Sequence, residues 1–233
     1  MSKHPSIRFN LLCPFLLGLV VISCSNHPAT PDSPIYSSRQ REFIVPYGNG
    51  RPVMTDGIFQ PAEWDDAATL VINDTVNLYF KQFSGHFFFA LDSRQLLSPS
   101  IDLYISADKQ NILQLHVSAQ LGERMLRATP NEPLDTAWVW GRTSGWYANE
   151  FRWIYKLLDS LVNIDGLDYE TAINQAGFHH EGIEIDVLKS KIKGSIWRLR
   201  IEIWTARGKG EQLVFSQETE RLSTTNWAEI RFE

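Results

Sequence analysis

Cysteine is nearly absent: the 233-residue chain has two, Cys13 and Cys24, both close to its beginning. No disulfide framework is available after residue 24, so a domain folded there must be held by its apolar core. A positive charge excess is missing as well, with 22 Lys and Arg against 27 Asp and Glu. Phosphate backbones need a cationic face, which argues against a nucleic-acid partner; acidic glycans and anionic lipid head groups are disfavoured for the same reason. Long apolar runs are lacking too. "LLCPFLLGLVVI" supplies twelve apolar-dominated residues, too few to cross a hydrocarbon core of ~30 Å as a helix. There is no Gly-x-Ser-x-Gly, no phosphate loop and no Cys-x-x-Cys-His, and the acids are scattered without the facing carboxylates that glycoside hydrolysis needs. The expectation is a protein that is not an enzyme.

What is present begins with an address. "MSKHPSIRFN" carries Lys3 and Arg8 and no acid, and the apolar run that follows stops at Ser23-Cys24, the layout of an export signal. Val21-Ile22-Ser23-Cys24 resembles the lipobox of bacterial lipoproteins. The resemblance implies that residues 1–23 are a signal peptide and that Cys24 becomes a lipid-modified N-terminus, with palmitate an expected acyl group. About 210 residues would remain, and losing Lys3 and Arg8 takes the formal charge from −5 to −7. Residues 24–41, "CSNHPATPDSPIYSSRQR", are rich in Pro and Ser without periodicity, which reads as a tether reaching ~3 Å per residue if extended. By resemblance to lipoproteins of diderm bacteria, Ser25 implies the outer membrane, with the membrane contacted only through the lipid on Cys24.

Residues 42–233 then carry a period of two. In "TVNLYFKQF" Val76, Leu78 and Phe80 alternate with Asn77, Tyr79 and Lys81, and in "IDLYISA" Ile101, Leu103 and Ile105 alternate with Asp102, Tyr104 and Ser106. "HFFFALD" is apolar on both faces, as a central strand would be, while "NILQLHVSA", "WRLRIEIW" and "NWAEIRFE" resume the alternation. At least six strands with no repeated helical crossover predict an all-β fold, an antiparallel β-sandwich. One segment differs. "NEFRWIYKLLDSLVNIDG" places Phe151, Ile154, Tyr155, Leu158 and Val162 at helical spacing, with Asn149 as a cap and Gly166 as a stop, which predicts one inserted or edge-packed helix.

"TDGIFQPAEWDDA" precedes the first of these strands. Asp56-Gly57 suits a turn with positive φ, Pro61 the first turn of a short helix, and Glu63 that turn's dipole. Trp64 and Ala67 share a face, which predicts a plug at one end of the sandwich with Asp65 and Asp66 turned to water. The pattern Asp56-Gly57, five residues, Glu63-Trp64, two residues, Ala67, followed by "VNLYFKQFSGHFFFALDS", resembles the start of the family 9 carbohydrate-binding modules. Their sandwich is related to DOMON domains, some of which bind sugars and others haem. "SIDLYISADK", "GIEIDVLKS" and "WAEIRFE" extend the likeness over roughly Val53 to Glu233. In that family the opening motif is structural, so the resemblance implies a fold and leaves the ligand to other residues.

Sugar recognition needs flat apolar faces against pyranose C–H groups with a few polar groups beside them. "AWVWGRTSGWYANEFRW" gathers Trp138, Trp140, Trp146, Tyr147 and Trp153 beside Arg142 and Asn149, with Trp138 and Trp140 on one strand face. This is the expected ligand-binding patch. Trp197 and Trp204 stand at odd spacing and point to opposite faces, one to the core and one outward. A haem site would draw on His86, His116, His179, His180 and Met125, although His179 and His180 would face opposite ways on a strand. Zinc is not expected, and no cofactor is. Asn163, Asp165, Asp168 and Glu170 around a Gly turn form an oxygen-rich set that could hold structural calcium, or simply a solvated end to the helix. The expected function is a non-catalytic surface lipoprotein that binds carbohydrate or a related polar ligand. The alternative is an assembly lipoprotein whose same patch meets an envelope protein.

Overall fold

The structure is a computed structural model. It describes residues 34–37, 39–49, 53–60, 62–92, 99–118, 120–128, 137–141, 143–149, 160–169, 171–172, 181–204, 212–216 and 223–233. The expected signal peptide, Cys24 and most of the tether lie outside these residues, as do Arg142, Trp153, Glu170, His179 and His180.

Fourteen strands are assigned among the described residues, and they form two sheets. In chain order they are β1 (Ile35–Ser37), β2 (Glu42–Val45), β3 (Ala68–Asn73), β4 (Val76–Phe83), β5 (His86–Asp92), β6 (Ser100–Ser106) and β7 (Asn111–Val117). After these come β8 (Leu121–Arg127), β9 (Val139–Trp140), β10 (Trp146–Ala148), β11 (Gly182–Leu188), β12 (Ile196–Trp204), β13 (Gln212–Phe215) and β14 (Ala228–Phe232). The six-stranded sheet runs β1-β3-β4-β5-β11-β10; the eight-stranded sheet runs β2-β14-β12-β6-β7-β8-β9, with β13 pairing β12 beside β14. The all-β sandwich expected from the period of two is what the chain forms. Alternation works because successive side chains on a strand point to opposite faces. Val76, Leu78 and Phe80 from one sheet and Trp197, Leu199, Ile201 and Ile203 from the other enter a single core. Each fully buried side chain of this size contributes roughly 1.5–3 kcal/mol of transfer free energy. The Trp197 ring meets Phe87 edge-on at 5.5 Å across the two layers.

Two pairings depart from the antiparallel expectation: β1 runs parallel to β3 and β2 parallel to β14. The chain enters along one edge of the first sheet and crosses directly to an edge of the second, so no hairpin reverses it. The last residues of the expected tether therefore belong to the domain. Tyr36 packs edge-on against Phe43 at 4.8 Å, and its hydroxyl lies 3.1 Å from the Ile44 amide, which donates to it. Ile35 and Tyr36 supply the strand-forming side chains that the surrounding Pro and Ser lack.

The motif at Thr55 to Ala67 does not plug an end. It lies over the outer face of the six-stranded sheet, where Trp64 and Ala67 pack with Phe88 and Ala90, flanked by Phe59 and Tyr79. This is why "HFFFALD" is apolar on both faces: Phe87, Phe89 and Leu91 join the main core, and Phe88 and Ala90 meet the motif. Gly57 adopts the expected positive φ of 81°, but Ala62 at 68° breaks the expected short helix into successive turns. Asp66 does not face water. It accepts from Lys81 Nζ at 3.1 Å and from the Asn49 amide at 2.6 Å, and Lys81, buried completely, also donates to the Glu63 carbonyl. A buried cation without its partner is costly, so Asp66→Ala is expected to destabilise the fold by about 3 kcal/mol, read as a lower denaturant midpoint. An unchanged midpoint would show that Lys81 escapes to solvent.

Glu184, on β11, joins this motif to a segment more than a hundred residues away. Its Oε2 accepts from the Asp56 and Gly57 amides at 3.0 and 2.9 Å, and its Oε1 accepts from Trp64 Nε1 at 2.9 Å. Burial pushes the carboxyl up to about 7, the Gly57 and Trp64 donors pull against it, and the neighbouring Glu63 and Asp56 add to the rise.

Of the expected helix, Ser160–Asn163 is helical within the described residues and ends at Gly166, φ 71°, where the Leu167 amide donates to the Leu161 carbonyl at 3.1 Å. Leu161 reaches the main core. The start of the expected helix, which Asn149 would cap, lies outside the described residues; within them Asn149 serves the sheet. Its Oδ1 accepts from the Glu184 amide at 2.7 Å and its Nδ2 donates to the Gly182 carbonyl at 3.1 Å, so it extends the pairing of β10 with β11. Among the described residues, no helix is long and apolar enough to cross a membrane.

Candidate functional site

On the outer face of the eight-stranded sheet, register places two polar rows side by side. One runs Glu202, Asp102, His116, Gly122, Trp140 across β12, β6, β7, β8 and β9; the next runs Arg200, Tyr104, Gln114, Arg124. These positions are the polar half of the alternation in "WRLRIEIW", "IDLYISA" and "NILQLHVSA". They do not lie loose in water. Asp102, Tyr104, Gln114, Arg200 and Glu202 are all buried, and a chain of hydrogen bonds connects them.

Tyr104 Oη donates to Glu202 Oε2 at 3.2 Å, and Arg200 Nε donates to Glu202 Oε1 at 3.0 Å. Gln114 Nε2 donates to Tyr104 Oη at 3.0 Å and to Asp102 Oδ1 at 3.1 Å, while its Oε1 accepts from Arg124 Nε at 2.7 Å. His116 Nδ1 donates to Asp102 Oδ1 at 2.9 Å, since a carboxylate only accepts, and its Nε2 lies 2.9 Å from Ser118 Oγ. Satisfied networks of this kind fix side-chain positions in a low-dielectric setting.

What they fix is an aromatic stack at the sheet edge. The Arg124 guanidinium lies 4.4 Å from the centre of the Trp138 ring, and Trp138 stacks on Trp140 at 4.8 Å with 24° between planes. His116 meets both indoles edge-on, at 5.9 and 5.6 Å. Trp138 is half-buried, whereas Trp140 is 44% exposed. The sequence expectation that these two tryptophans share a strand face holds. Gly122 lies beneath them: a Cβ there would stand 2.5 Å from Trp140 Cζ3 and 3.2 Å from Trp138 Cε3. Gly122→Ala is therefore expected to part the two rings, read as a changed near-ultraviolet circular dichroism signal, at an overpacking cost of about 1–3 kcal/mol. An unaltered signal would mean that the stack relaxes without separating.

The rest of the expected patch divides. Trp146 is 5% exposed, enters the main core and donates from Nε1 to Glu123, so it offers no face to a ligand. Asn149, at 4% exposure, is consumed by the β11 backbone. Tyr147 is 49% exposed, but it pairs with Asp186 on the outer face of the six-stranded sheet, on the far side of the sandwich from Trp140. The span crosses from one sheet to the other between Gly141 and Gly145, both at positive φ, so closeness in sequence does not become one surface. Arg142 and Trp153 lie outside the described residues. Trp197 is core and Trp204 is exposed on the same outer face as Glu202, as their odd spacing implied.

The haem candidates among the described residues do not converge. His86 sits 2.7 Å from Asp186 on the six-stranded sheet, His116 is bound into the polar row of the other, and Met125 stands on the opposite side of β8 from Arg124. Around Gly166, Asp168 accepts from the Thr171 amide at 2.9 Å as a cap, and Asn163 and Asp165 are exposed. No group of three His, Cys, Asp or Glu able to hold a metal ion occurs among the described residues. Arg124, Gln114, Asp102, Tyr104 and Glu202 were not singled out from the sequence. Their signal is the polar side chain at alternate positions of a strand, which reads as ordinary solvent exposure until the register lines them up.

No family model matches the chain, and no curated protein matches it. Among solved structures, a similar one is described as a "putative carbohydrate-binding protein" from Bacteroides uniformis. The identity is 6% and the TM-score 0.37, with 68% of this chain and 78% of that one covered. A likeness this distant carries no argument about the ligand.

Proposed function

We propose that the protein binds carbohydrate, or a related polar ligand, without transforming it, through the edge of the eight-stranded sheet at Trp138 and Trp140. The observation that carries this proposal is the exposed Trp140 indole, held rigid by Trp138, Arg124 and His116. A flat ring that is locked before the ligand arrives costs little further entropy on binding, and a pyranose face lies against such a surface. The Arg124 guanidinium, held through Nε by Gln114, lies in the same stack as a hydrogen-bonding group. The acidic balance of the chain favours a neutral sugar over a uronic acid.

Membership of the wider family 9 carbohydrate-binding-module class belongs to the same proposal. It is supported by the Glu184 clamp, which joins two of the segments carrying the resemblance. Anchoring to the outer membrane through lipid on Cys24 is likewise proposed on the lipobox-like residues; incorporation of labelled palmitate that disappears in Cys24→Ser tests it.

The binding proposal is tested by screening the folded domain against arrayed neutral and charged glycans. Saturable binding to neutral glycans is expected. Absence of any glycan binding, with an envelope protein co-purifying through the same indoles, would overturn it in favour of an assembly role.

A further inference from the structure

A cleft of about 460 Å³ opens on the inner side of the eight-stranded sheet, behind the edge strand that carries Trp140 and beside the turn after β11. Its floor is Ile105 and Leu113, both core residues, and its walls include Met125, Val139 and Ile192. Met125 and Val139 are 41% and 45% exposed. Val139 points inward because its neighbours Trp138 and Trp140 point outward, so neither indole lines the cleft, although Arg124 borders both places. Its volume lies within the range of small-molecule pockets, and its walls are mostly apolar.

The charges around the cleft are unequally occupied. Asp108 accepts from the Gln110 and Asn111 amides and from the Asn111 side chain, which hold its carboxyl below the usual range although burial opposes them. Glu123 accepts from Trp146 and pairs with Lys191 at 2.9 Å. Lys193 is exposed at the rim and has no ion-pair partner among the described residues. Arg124 also borders the cleft and is engaged by Gln114 and the Trp138 ring, so three cations stand against two acids, and Lys193 is the positive charge in excess.

We infer that this cleft is a second binding site, for a single-chain amphiphile with an anionic end, such as a free medium-chain carboxylate. The alkyl chain lies against Met125, Val139 and Ile192 over the Leu113 floor, and the carboxylate meets Lys193. A two-chain phospholipid does not suit a cleft of this size, and a cationic head would face Lys193. The inference does not depend on the carbohydrate proposal, since Trp140 takes no part in it.

The test is calorimetric titration of the folded chain with decanoate, kept below its micelle concentration, beside decyltrimethylammonium at equal ionic strength. Decanoate is expected to bind saturably at one site and at least tenfold more tightly than the cation. Met125→Glu, which puts a charge into an already exposed wall, is expected to abolish decanoate binding, and Lys193→Glu to weaken it about tenfold. Trp140→Ala is expected to leave it unchanged. Far-ultraviolet circular dichroism of each variant checks that the fold persists. Absence of saturable binding, equal binding of the two amphiphiles, or full binding by folded Met125→Glu would each overturn the inference.

Discussion

Replacing Trp140 with alanine is expected to reduce glycan affinity by at least ~30-fold, about 2 kcal/mol, the loss typical of truncating an aromatic anchor at a binding surface. The melting temperature is expected to move little. Trp140 belongs to a two-residue edge strand and leaves much of its ring in water, so its removal opens no cavity in the core. Trp140→Phe keeps a flat apolar face and should retain part of the affinity. Trp146→Ala provides the contrast. That ring is buried between the sheets, and its loss is expected to cost about 3–5 kcal/mol of stability, so any fall in binding there follows unfolding. Isothermal titration with the best glycan from the array, alongside thermal melts, separates the two effects. If Trp140→Ala binds as tightly as the parent, the indole platform is not the site, whatever the glycan.

Replacing Glu184 with alanine is expected to be among the most destabilising single changes in the chain, about 3–5 kcal/mol. It empties a buried volume and leaves the Asp56 amide, the Gly57 amide and Trp64 Nε1 without their acceptor. Trp64 would then lose the bond that seats it on the outer sheet, and its fluorescence should report unfolding at lower denaturant. The same residue gives the fold a pH dependence. Its carboxyl is raised from an ordinary 4.5 to about 7, so between those values the native state holds a proton that the unfolded chain has released. Stability therefore falls as pH rises through that window, by an amount on the order of 3 kcal/mol, and is greatest on its acid side. Burial also raises the Glu63 carboxyl, against the Met54 and Gln60 amides, which gives a contribution of the same sign. Melts from pH 5 to pH 8 are expected to show a declining midpoint, and Glu184→Gln, which cannot ionise, should lose most of that slope. A flat profile in the parent protein would reject this account of the clamp.

These expectations share an origin in how the chain divides its aromatic residues. Trp64, Trp146, Trp197 and Trp227 are buried and serve the fold, whereas Trp138, Trp140 and Trp204 keep part of their surface in water. Three of the buried rings have no role at the proposed sugar surface: Trp64 seats the outer motif, Trp146 joins the sheets and Trp197 fills the core. The exposed stack is secured by polar side chains on neighbouring strands, which lets it remain rigid without being covered.

The period of two, the turn at Asp56-Gly57, the central character of "HFFFALD" and the opposed faces of Trp197 and Trp204 were all determined by the sequence alone, because each depends on side-chain direction along one strand or on the φ of one residue. The coming together of Glu184 with Trp64, the alignment of Glu202, Asp102, His116 and Trp140, and the parting of Trp140 from Tyr147 were decided only in the tertiary structure. Each depends on which strands pair and in what register, and that choice is made by burial of a common core over the whole chain. Hence "AWVWGRTSGWYANEFRW" could be recognised as aromatic from its letters, while its division into a platform on one sheet, a core ring and a tyrosine on the opposite face required both sheets to exist.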